Sequence, residues 1–76
     1  MSSPLGGWTS YDVIKFLKKN GFVLHRSSGS HFHYKKQVGS MSYLVTVAFH
    51  GSRDIPMGTL NSIIRQSGLP KNQWQK

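Results

Sequence analysis

The sequence predicts an α+β fold, a two-layer sandwich in the order α-β-β-β-α with a three-stranded antiparallel sheet and two helices on one of its faces. Three observations lead there. Segments near the start and the end of the chain carry apolar residues at helical spacing, and each stops at a glycine. Between them lie three short runs rich in strand-forming residues. The 76 residues, 37% of them hydrophobic, can bury one modest core and leave no room for a separate cofactor domain.

Thr9 opens the first helix. With Asp12 three residues on it matches the capping-box spacing, in which each side chain bonds the other residue's backbone N–H. Val13, Ile14 and Leu17 then form an apolar stripe, while Lys15, Lys18 and Lys19 fall elsewhere on the helix. Asn20-Gly21 stops it, and lysines in the last turn suit the negative end of the helix dipole. Phe22 to Arg26 reads as the first strand, Ser27-Ser28-Gly29-Ser30 as a turn, and His31 to Lys36 as the second strand. Alternation places Phe32 and Tyr34 on the core face and sends His31, His33 and Lys35 to the other, open face. A polar connection over residues 37–42 leads to a third strand from Tyr43 to Phe49. After a polar loop at residues 50–54, Leu60, Ile63 and Ile64 mark a second helix that runs to about Ser67 and ends at Gly68, with Pro70 barring extension. Residues 1–8 are expected to be a flexible lead, 9–69 the single domain, and 70–76 a polar tail from which Trp74 packs back on the core.

Charge narrows the partner. Ten Lys and Arg stand against Asp12 and Asp54 alone, a formal charge of +8, and they are spread along the chain rather than run together. That is the pattern of a folded surface with positive potential, and nucleic acid is its commonest ligand. There is no cysteine, hence no disulfide and no thiolate metal site, as suits a reducing compartment. No apolar stretch approaches the roughly 20 residues needed to span a bilayer. The segment Met1-Ser2-Ser3-Pro4-Leu5-Gly6-Gly7 lacks the parts of a signal peptide, so a cytoplasmic protein without a membrane partner is expected.

The chemistry-bearing feature is Gly29-Ser30-His31, which delivers a histidine to the start of a strand. Histidine titrates near neutrality and can take or give a proton. In RNA, a base that removes the 2′-hydroxyl proton turns that oxygen into a nucleophile on the adjacent phosphorus, with no metal required. A small turn-forming lead-in lets a phosphate approach the backbone beside the imidazole. His33, two residues on and on the same face, is placed to act as an acid or an RNA contact, with Lys35 and Lys36 as phosphate contacts. On spacing alone, an exposed strand histidine is more often a bystander than a catalyst. His31-x-His33 is also a possible metal pair, but no cysteine, glutamate or nearby carboxylate completes a site, and no cofactor is expected. Asp12 and Asp54 have structural work available at helix starts.

The run Arg26-Ser27-Ser28-Gly29-Ser30-His31, then Val45-Thr46-Val47, then Asp54-Ile55-Pro56-Met57-Gly58-Thr59-Leu60 and Ile63 to Leu69, resembles the HicA toxin family in the same order. Asn20-Gly21-Phe22 and the opening helix extend the resemblance to about residues 9–69. Many relatives carry a proline before the histidine that follows the third strand, where this chain has Ala48-Phe49-His50. The resemblance implies a fold similar to a double-stranded-RNA-binding domain. It further implies a metal-independent mRNA endoribonuclease, the toxin of a toxin–antitoxin pair, held inactive by a HicB-type antitoxin. The family's catalytic histidine falls on His31. Two other readings use the same basic face: a non-catalytic RNA-binding module, and a module that docks an acidic protein.

Overall fold

The computed structural model describes residues 6–75. Its elements are α1 (Ser10–Lys19), β1 (Val23–Ser28), β2 (His31–Val38), β3 (Met41–Ala48) and α2 (Met57–Ser67), followed by a short 3-10 helix (Lys71–Gln73). The strands form one antiparallel sheet in the order β1-β2-β3, which is the predicted α-β-β-β-α arrangement. No helix among the described residues is long and apolar enough to cross a membrane.

Both helices form for the reasons legible in the sequence. Thr9 caps α1: its hydroxyl accepts from the Asp12 N–H at 3.2 Å, and the Asp12 carboxylate accepts from the Thr9 N–H at 2.9 Å. Val13 and Leu17 are buried, and Ile14 packs against the core from its edge. Gly68 ends α2 in the left-handed conformation at φ 71°, with Leu60, Ile63 and Ile64 buried as expected. From the sheet, Tyr34, Val45 and Val47 complete the core, and each buried aliphatic side chain contributes about 2 kcal/mol.

Two glycine-serine turns set the sheet. Gly29-Ser30 joins β1 to β2 with Ser28 paired to His31, and Gly39-Ser40 joins β2 to β3 with Val38 paired to Met41. In each, the glycine has positive φ, 57° at Gly29 and 59° at Gly39, as two-residue hairpins favour at the first turn position. The strands are therefore longer than the sequence predicts. The expected four-residue turn shrinks to two residues, and the polar connection at 37–42 is itself a hairpin tip, where the Ser42 hydroxyl donates to Gln37 Oε1 at 2.7 Å.

At the end of the expected lead, Trp8 belongs to the core. Residues 1–5 of the expected lead lie outside the described residues, as does Lys76, but Trp8 is buried, and its carbonyl accepts from the Ile55 N–H at 2.7 Å. Trp8, Phe16 and Trp74 form one aromatic cluster, with ring centroids 4.3 to 5.7 Å apart. Trp74 packs inward as predicted, and the 3-10 helix before it carries the chain back to the core.

Candidate nucleic-acid interface

The face of the sheet turned away from the helices is built from three cross-strand rows. Ser28, His31 and Ala48 make the first, Arg26, His33 and Thr46 the second, and Val23, Lys35 and Leu44 the third. Residues paired in this way project to the same side, so the rows stack into one surface. Histidines stand on two of the three rows, about 7 Å apart along β2.

His31 is exposed, at the mouth of the Gly29-Ser30 turn. Gly29 has open space where a Cβ would stand, so the glycine there meets a backbone requirement and leaves the surface before His31 uncrowded. The turn is held in place from β3, since the Phe49 N–H donates to the Ser30 carbonyl at 2.7 Å. His33 differs. It is half-buried, and its Nδ1 lies 2.9 Å from the Thr46 hydroxyl, which fixes the ring and leaves Nε2 without a hydrogen-bond partner among the described residues.

Arg26 is a residue of this face that alternation along β1 does not reveal. Leu24 pairs with Tyr34, but Arg26 rather than His25 is the register partner of His33, because β1 carries a bulge there. A bulge places two residues against one and re-aims the strand beyond it. Without it, Arg26 would fall opposite Phe32, on the helix side. Arg26 does stand in the run Arg26 to His31 that carried the family resemblance, and that was its signal in the sequence.

Of the expected site residues, His31, His33 and Lys35 share the open face, and Gly29 and Ser30 form the turn beside it. Lys36 does not join them. It pairs with Tyr43 on the helix side, its stem runs against Gly21 at the end of α1, and its ammonium lies 5.9 Å from the centre of the Phe22 ring. There a cation meets the negative end of the helix dipole. His50 lies beyond β3 and His25 at the bulge. Burial pushes the Tyr34 hydroxyl pKa above its ordinary value, so this phenol stays protonated beneath the sheet. Among the described residues, no three His, Cys, Asp or Glu come together as metal ligands.

The fold and site define the class: a single small basic domain of α+β form, with an open sheet face that carries two histidines and an arginine. The particular family follows from comparison. Residues 10–69 match the family described as HicA toxin of bacterial toxin–antitoxin, and the chain belongs to that family. Its members are toxins, generally ribonucleases that cleave mRNA, so membership implies an RNA substrate and a cognate antitoxin. The comparison with curated proteins gives no match.

Proposed function

We propose that this protein is a metal-independent endoribonuclease that cleaves mRNA in the cytoplasm and is restrained by a HicB-type antitoxin. The observation that carries the reading is the juxtaposition of exposed His31 with Arg26, His33 and Lys35 on one open sheet face. His31 accepts the proton of a ribose 2′-hydroxyl. The freed oxygen attacks the adjacent phosphorus, and the bond to the 5′ oxygen breaks, leaving a cyclic phosphate and a 5′-hydroxyl end. The departing oxygen takes up a proton, for which His33, steadied by Thr46 and two residues along the same strand face, supplies a second imidazole. Arg26, Lys35 and the backbone at Gly29-Ser30 offset the charge gathering on the phosphate. Lys36 holds the end of α1 and reaches RNA only from the side of the sheet.

The test is incubation of the protein and its His31→Ala variant with mixed-sequence RNA and the DNA counterpart, each with and without EDTA. Cleavage of RNA alone, insensitive to EDTA and lost in the variant, is the expected outcome. RNA that is bound but intact overturns the reading in favour of a non-catalytic RNA-binding module.

A further inference from the structure

A groove of about 430 Å³ opens at the far end of β3, between the strand, the loop after it and the start of α2. Ala48, Ile55 and Ile63 give it an apolar floor, and His50, Arg53 and Asp54 stand around it. The size is that of a small-molecule site. Ala48, which lines it, is also the β3 partner of His31, so the groove adjoins the strand position paired with that histidine.

The groove is built rather than incidental. Ser10, buried at the start of α1, receives the His50 N–H at 3.4 Å and donates its hydroxyl to the Gly51 carbonyl at 3.3 Å. Asp54 bridges to Thr9 through the backbone, and the Ile55 N–H donates to Trp8. The loop is thus fastened to the first helix on both sides of Arg53.

Asp54 is the informative residue. The sequence assigns it to the start of α2, yet the cap of that helix is Pro56 and no side chain closes it. Among the described residues nothing donates a hydrogen bond to the Asp54 carboxylate or pairs with it. A carboxylate in a groove of a protein with charge +8 repels phosphate, so its place there makes sense for a ligand that presents N–H donors. Nucleobases do so, and guanine offers two adjacent donors, the ring N1–H and the exocyclic amino group, to one carboxylate.

We propose that this groove takes a nucleobase of the RNA strand beside the cut. Asp54 accepts from the base edge, Arg53 meets the adjoining phosphate, and guanine is selected over bases that offer fewer donors. The proposal rests on the ribonuclease reading for the identity of its ligand, but it is tested separately. The His31→Ala protein is titrated with GMP, AMP, CMP and UMP while the backbone amide signals of Ala48, Gly51 and Ile63 are followed by NMR. GMP is expected to shift these signals with an affinity about tenfold above UMP, and Asp54→Asn, which removes one of the two acceptors from an exposed position, is expected to erase that preference. No shift in the groove with any nucleotide, or a preference that survives Asp54→Asn, overturns the proposal. Groove binding without RNA cleavage by the unaltered protein sinks the ribonuclease reading and leaves the base site standing; cleavage without groove binding does the reverse.

Discussion

Arg26 stands directly across the β1–β2 ladder from His33, and His33 in turn is paired with Thr46 on β3. This row crosses the whole sheet, and its three side chains share the solvent face next to His31. The guanidinium comes to it through the bulge in β1, which spends one residue to turn Arg26 away from the helices. The same bulge interrupts the exposed outer edge of β1, which makes the strand a poorer template for adventitious pairing.

Replacing Arg26 with glutamine removes one phosphate contact and leaves a side chain of similar length. RNA binding by the His31→Ala, Arg26→Gln protein is expected to weaken uniformly across sequences. The slope of log affinity against log salt should become shallower by about 1. An unchanged slope in fluorescence anisotropy titrations would place Arg26 outside the interface.

Thr46→Val keeps the volume of the side chain and deletes the hydroxyl that holds His33 at 2.9 Å. The fold is expected to survive, while the imidazole loses the partner that selects its tautomer and orientation. Long-range ¹H–¹⁵N spectra of the ring should show the tautomer populations of His33 shifting and those of His31 holding still. Ring signals of His33 indifferent to the substitution would remove Thr46 from the site.

Gly68 is constrained twice. Its φ of 71° is left-handed, and a Cβ there would run into the ring of Tyr43. Gly68→Ala is expected to cost about 2 kcal/mol, combining backbone strain with displacement of the ring. In a domain of this size that lowers the Tm by about 10 °C. A melting curve within a degree or two of the parent would show that the ring moves aside freely.

Trp74 fills the core, but its indole N–H has no acceptor among the described residues. Trp74→Ala leaves a large cavity and is expected to cost about 4 kcal/mol in urea denaturation. Trp74→Phe retains much of the ring and removes the unsatisfied donor, so its cost should stay near 1 kcal/mol. Equal losses for the two variants would mean that the N–H is bonded in solution.

Local pattern carried most of the fold. The capping box at Thr9 and Asp12, the stripes of the two helices, the stop at Gly68 and the aromatic alternation of β2 all depend on residues within a few positions of one another. For that reason they were legible in the sequence, as was the placement of His31, His33 and Lys35 on the face opposite Tyr34. Turn lengths were less so: Gly29-Ser30 and Gly39-Ser40 close as two-residue turns because each strand finds pairing partners right up to the glycine, a property of two strands together.

What the sequence by itself determined, then, is the order of the elements, the core stripes, the positive charge and the histidine on an outward strand face, because periodicity and composition are properties of the chain read in one dimension. Tertiary structure alone decided that Arg26 joins His33, that Lys36 leaves the open face to sit over Phe22 at the end of α1, and that Asp54 is free of the α2 cap and borders a groove beside Ala48. Each of those outcomes depends on a bulge, a strand register or a loop fastened to a distant helix, and such relations exist only once segments far apart in the chain have met.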